Sequence, residues 1–130
     1  MKIVPLATPA APAAIGPYAQ GVSCGELVFC SGQIGLDPTT GELIAGGIEA
    51  ETRRALANLA AVLDCADASF ASLLRVSIYL VDLGDFTRVN AIYAEALGEA
   101  RPARSTIGVA ALPRGARIEI DAIATRRAPA

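Results

Sequence analysis

Leu73-Leu74-Arg75-Val76-Ser77-Ile78-Tyr79-Leu80-Val81 alternates apolar and polar residues, and the segment after it, from Asp82 to about Leu97, does not. The change of period decides the fold class. Side chains two apart share a strand face, and side chains three or four apart share a helix face. The first segment therefore reads as a strand, with Leu74, Val76, Ile78 and Leu80 on one face and Arg75, Ser77 and Tyr79 on the other. The second reads as a helix that Asp82 caps and Gly98 ends, with Phe86, Val89, Tyr93 and Leu97 as its apolar stripe. Asn90 falls inside that stripe. It is either a core-edge amide holding a backbone group or a brace for a site, because a buried amide needs partners.

Outward from this pair, Arg104 to Val109 and Ala116 to Ala124 read as the last two strands, joined through Leu112-Pro113-Arg114-Gly115. Upstream, Ile48 to Ala66 reads as a helix with Thr52, Ala55, Leu56, Leu59, Val62, Leu63 and Ala66 on one face. Asp37-Pro38-Thr39-Thr40-Gly41 is a turn, since proline and glycine set the dihedrals a turn needs. Tyr18 to Cys24 and Leu27 to Ser31 read as strands joined at Gly25-Glu26. Thr8 to Ala14, rich in alanine and proline, reads as an extended lead-in. The order of elements predicts an α+β domain spanning residues 1–130, with two helices covering one face of a mixed sheet.

The other sheet face is expected to carry Arg75, Ser77, Tyr79, Thr106, Arg117, Glu119 and Asp121. It either faces water or meets another copy of the chain. A chain of 130 residues buries enough surface for a core without staples. A net charge of −2 and no basic stripe argue against a nucleic-acid partner. Cys24, Cys30 and Cys65 match no metal or redox spacing, and histidine is absent, so no metal site is expected. Reduced thiols suit the cytosol. Pro5, Pro9 and Pro12 break the N-terminal apolar run, and no segment is long enough to span a bilayer. The expectation is a cytoplasmic protein.

The missing histidine also rules out Ser-His and Cys-His dyads. The polar residues that remain are modest. Arg104 begins a strand after Pro102, where its guanidinium either faces water or offers a rigid fork to a carboxylate. Glu119 lies mid-strand, where it either pairs with Arg117 or Arg75 or, partly shielded, becomes a proton carrier near neutral pH. Tyr18, Ser31 and Gly32 adjoin proline or glycine, which lets backbone and hydroxyl approach a ligand.

Ile15-Gly16-Pro17-Tyr18, Ser31-Gly32-Gln33-Ile34, Asp37 to Glu42, Asp82 to Phe86, Val89-Asn90, Pro102-Ala103-Arg104-Ser105 and Ile118-Glu119-Ile120 stand in an order and spacing that resemble the RidA/YjgF family of reactive imine and enamine deaminases. The resemblance runs from about Ala13 to Arg127. It implies a chorismate-mutase-like fold and a homotrimer with sites in clefts between subunits. It implies hydrolysis of 2-imino acids, or their enamine tautomers, to 2-oxo acids and ammonia, with no cofactor. In that pattern Arg104 holds the substrate carboxylate and Glu119 positions water and passes a proton to nitrogen. Tyr18, Ser31 and Gly32 line the pocket, Asn90 braces it, and the backbone carbonyl of Thr106 helps hold the water. Alternatives are an enzyme for another enamine, such as 3-aminoacrylate, and a trimeric module that binds a small carboxylate without turnover. Three departures bear on substrate preference. Thr106 replaces a cysteine of the best-known branch, Arg101 stands where an aromatic or aliphatic residue is commoner, and the stretch from Tyr93 to Pro102 is shorter than usual.

Overall fold

The computed structural model describes residues 1–127. Six strands form one sheet: β1 (Ile3–Leu6), β2 (Gly21–Cys24), β3 (Leu27–Gln33), β4 (Leu73–Leu80), β5 (Ala103–Gly108) and β6 (Ile118–Thr125). Their order is β1-β2-β3-β6-β4-β5. All neighbours are antiparallel except β4 and β5. A parallel pair needs a crossover, and α2 (Phe86–Leu97) supplies it. The long helix α1 (Gly47–Cys65) packs on β3, β6 and α2. The architecture is the expected α+β layer, a mixed sheet with both helices on one face.

One buried apolar cluster lies between the layers. Strand β6 contributes Ile118, Ile120, Ala122 and Ala124, as its alternation requires, and α1 contributes Leu56, Leu59, Val62 and Leu63. Thr52 is buried among them because its hydroxyl donates back to the Ile48 carbonyl at 2.7 Å. Asn58 is fully buried too; its amide donates to the carbonyls of Ile34 and Leu36 at 3.1 and 2.9 Å and ties the end of β3 to the helix. The hairpin between β2 and β3 turns through Gly25, whose φ is 61°.

Several expectations need correction. The N-terminus holds a strand, β1, paired with β2. Pro5 fits there because an edge strand leaves one side of its backbone unpaired. The second strand begins at Gly21, so Tyr18 lies in the loop before it. Register shifts between Leu73 and Arg75 in the β4–β6 ladder. This bulge gives the core position to Leu73 and turns Leu74 outward, 47% exposed. Asp82 caps a 3-10 turn over Leu83–Asp85 instead of α2, and its carboxylate accepts from the Gly84 N–H at 2.8 Å. Phe86 stays partly exposed, and Ile92 completes the stripe of α2.

Two residues lie elsewhere than the open sheet face. Thr106 aligns with Ile78 in the parallel β4–β5 pair and so shares the helix-covered side. Arg117 precedes β6, and its guanidinium turns toward α1. Its backbone N–H donates to Glu51 Oε1 at 2.8 Å, and its Nη1 lies 3.7 Å from Glu51 Oε2. Glu51 is almost completely buried near the start of the helix, so this pair locks the start of β6 to α1.

Candidate functional site

The residues singled out from the sequence form two groups on opposite sides of the sheet. The first surrounds Glu119. Gln20, buried beneath the lead-in, accepts from the Thr8 N–H at 2.7 Å and donates to the carbonyls of Thr8, Ala11 and Pro12. These bonds fold the lead-in over the end of β3. The result is a cavity of about 630 Å³ whose walls include Ile15, Tyr18, Ser31, Gly32 and Glu119. Ser31 donates its hydroxyl to the Ala19 carbonyl at 2.6 Å, leaving that oxygen as an acceptor for a ligand. The Tyr18 hydroxyl receives a long contact from the Ile15 N–H at 3.4 Å.

Gly32 is required here by space. The β3–β6 register shifts between Cys30 and Gln33, so Ser31 and Gly32 form a bulge. A Cβ on Gly32 would lie 2.7 Å from Glu119 Cδ and collide with its Oε2. The carboxyl group thus occupies the place a side chain would take. No cation among the described residues forms an ion pair with it. Arg117 pairs with Glu51, and Arg75 donates to the Ser105 hydroxyl at 2.9 Å, so neither expected partner reaches Glu119. Burial raises the Glu119 pKa from its ordinary value, and the nearby charge of Asp121 raises it further. Asp121 itself accepts from the Tyr79 hydroxyl at 2.9 Å, and that bond, first among the causes, raises the Tyr79 pKa.

The second group surrounds Arg104. It aligns with Val76 on edge strand β5 and lies on the helix-covered side. Its Nη1 donates to Asn90 Oδ1 at 2.7 Å. The guanidinium carbon lies 4.9 Å from the centroid of the Tyr93 ring and 5.5 Å from that of Phe86. Stacking and a charged hydrogen bond together fix the fork. Asn90 thus receives the Arg104 guanidinium from a position on α2 one turn from Tyr93 and Phe86. The Tyr93 hydroxyl and Thr106 Oγ1 are buried without a hydrogen-bond partner among the described residues. Burial raises the Tyr93 pKa, against the opposing charges of Arg104 and Arg101. Arg101 turns away and caps the end of α2, donating to the carbonyls of Gly98 and Ala100 at 2.7 and 2.8 Å.

Within one chain, then, Tyr18, Ser31, Gly32 and Glu119 come together, and Arg104, Asn90 and Thr106 come together. The two groups do not meet. Sequence reasoning missed Arg114, which lines the Glu119 cavity from the turn Pro113–Gly115. It also missed Gln20, whose only signal was a buried amide amid small residues. Among the described residues, no group of three or more thiols and carboxylates converges to hold a metal ion.

A family model described as Endoribonuclease L-PSP matches residues 8–126. The chain belongs to this family, the YjgF/RidA family. Among its relatives, protein DfrA of Myxococcus xanthus is 50% identical over 116 residues, covering 88% of each chain. The 2-iminobutanoate/2-iminopropanoate deaminase of Mus musculus is 45% identical over 121 residues, covering 93% of this chain and 90% of that one. The crystal structure of TdcF from E. coli with bound serine superimposes with a TM-score of 0.89 at 39% identity, covering 95% of this chain and 98% of the other. The YjgF/RidA fold and the expected α+β class therefore agree. No helix among the described residues is long and apolar enough to cross a membrane.

Proposed function

We propose that this protein hydrolyses reactive 2-imino acids and their enamine tautomers, with 2-iminopropanoate and 2-iminobutanoate as test substrates, to 2-oxo acids and ammonia. The reading places its sites between copies of the chain in a homotrimer, where Arg104 of one copy meets the Glu119 cavity of the next. The observation that carries it is the half-buried carboxyl of Glu119, which faces a cavity with no ion-pair partner among the described residues and has a raised pKa. A relative that bears the deaminase name and a neighbour crystallised with serine support a small α-substituted acid as ligand.

The chemistry follows from the parts. The Arg104 fork takes the substrate carboxylate, and Asn90 with the two rings holds it in place. Such a charge-assisted contact contributes about 1.5–3 kcal/mol net. The imine carbon is electrophilic once its nitrogen is protonated, so orientation matters more than a strong nucleophile. Water adds to C2, and its proton passes to the Glu119 carboxylate. Glu119 then returns that proton to the amino nitrogen of the carbinolamine. The C–N bond breaks as the hydroxyl proton passes to the Glu119 carboxylate and on to water, and the products are the 2-oxo acid and ammonia. A raised carboxyl pKa suits a group that must hold and release a proton near neutral pH. For an enamine the first proton goes to C3. Tyr18, Ser31 and Gly32 shape the pocket, and the Thr106 carbonyl is assigned to the water.

The test generates iminobutanoate in situ with a threonine dehydratase and follows its loss. Wild type should accelerate hydrolysis, Arg104→Ala should raise KM and lower kcat/KM, and Glu119→Gln should bind a carboxylate but turn nothing over. A Glu119→Gln variant as fast as wild type ends the proposal. Carboxylate binding by wild type without any turnover would favour the binding-module reading instead.

A further inference from the structure

The cavity around Glu119 holds one cation, Arg114, and one acid, Glu119 itself. Arg114 has a φ of 63°, a left-handed conformation uncommon for arginine. The ion pairs found among the described residues, Arg88 with Asp85 and Arg117 with Glu51, do not use it. Nor does it neutralise Glu119, whose pKa is raised by burial and by Asp121 with no opposing charge. Arg114 is exposed at the rim of this cavity with no ion-pair partner among the described residues, which leaves its guanidinium available to an external anion. The space allows one. About 630 Å³ lies within the range of pockets that enclose drug-sized ligands, more than a three-carbon imino acid needs.

We propose that Arg114 is a specificity-determining residue that binds a second carboxylate at the far end of the substrate, so that 2-imino diacids such as 2-iminosuccinate are substrates of the same site. The inference rests on the imine-hydrolysis reading above. Arg104 from a neighbouring copy holds the carboxylate beside C2, and Arg114 holds the terminal one through its planar fork. The bonds made and broken are unchanged. Water adds to C2, the C–N bond breaks and ammonia leaves, while the terminal carboxylate takes no part.

The experiment uses the full chain and two imines made in situ by amino-acid oxidases with catalase present, iminosuccinate from aspartate and iminopropanoate from alanine. Arg114→Asn removes the cation with a residue that tolerates the left-handed backbone. Arg114→Lys keeps the charge and serves as the rescue. Arg114→Asn should lower kcat/KM for iminosuccinate about tenfold more than for iminopropanoate, mainly through KM, and Arg114→Lys should recover part of that loss. Equal losses on both imines, or a wild type that hydrolyses iminopropanoate but not iminosuccinate, would overturn the role of Arg114 while sparing the deaminase reading. If wild type hydrolyses neither, the deaminase reading fails, and succinate binding by calorimetry decides Arg114 separately. Succinate binding that Arg114→Asn weakens supports the contact; equal binding by both proteins overturns it.

Discussion

The surroundings of Arg104 and of Glu119 are built by opposite rules. Arg104 is held in place before any ligand arrives, with an amide on one nitrogen and two rings beside it. Glu119 has no ion-pair partner among the described residues, rests in space that a glycine vacates, and has a raised pKa. The first arrangement holds a charge still and lets it bind. The second makes a proton easy to hold and to give. Under the proposed function, the difference teaches that recognition rests on rigidity on one side of the sheet and that chemistry rests on desolvation on the other.

If that division is right, the variants should separate by kinetic parameter. Glu119→Gln should cost the most, about 100- to 10,000-fold in kcat with little change in carboxylate affinity, as steady-state kinetics and calorimetry would measure. Gly32→Ala should come next. Its methyl group displaces the carboxyl, and a misplacement of about 1 Å costs about 100-fold in kcat, measured on a chain whose thermal midpoint is checked in parallel. Asn90→Ala frees one face of the Arg104 fork and should raise KM, with a loss in kcat/KM of about fivefold to thirtyfold and kcat moved less. A large kcat effect in Asn90→Ala would blur the division.

The smallest effect concerns stability. Because burial raises the pKa of Glu119 in the folded chain, its folding contribution is fully present below the ordinary carboxylate range and is lost as pH rises through the raised value. Glu119→Gln carries no such loss. Denaturant melts should show wild type falling in stability relative to Glu119→Gln as pH rises through that window, and level with it below. The catalytic carboxyl would then be a stability cost kept for activity.

Much of this molecule was legible in its sequence, for reasons that can be named. The apolar face of α1 and the alternation of β6 follow from periodicity, and both matched closely. Periodicity assigns faces within one strand only. Whether Thr106 faces the helices depends on its register with β4, which the α2 crossover sets, and no residue pattern encodes that. The bulge at Leu73–Arg75 shifts parity by one residue, which is why Leu74 was assigned to the wrong side. Arg117 was placed on the open face because the strand was taken to begin at Ala116, before Glu51 drew it aside. The members of the site came from the family pattern. Their separation into two groups came only from the sheet, because Arg104 and Glu119 sit on strands whose partners point opposite ways.

That separation supplies its own decisive assay. Arg104→Ala and Glu119→Gln proteins would be unfolded together, refolded as a mixture and assayed on iminobutanoate at a concentration where each alone falls far below wild type. Sites that draw Arg104 from one copy and Glu119 from another should appear in the mixed assemblies, restoring about a quarter of wild-type activity at equal mixing. A mixture that stays as inactive as its parents, while wild-type chains treated in the same way recover, would contradict a site shared between copies.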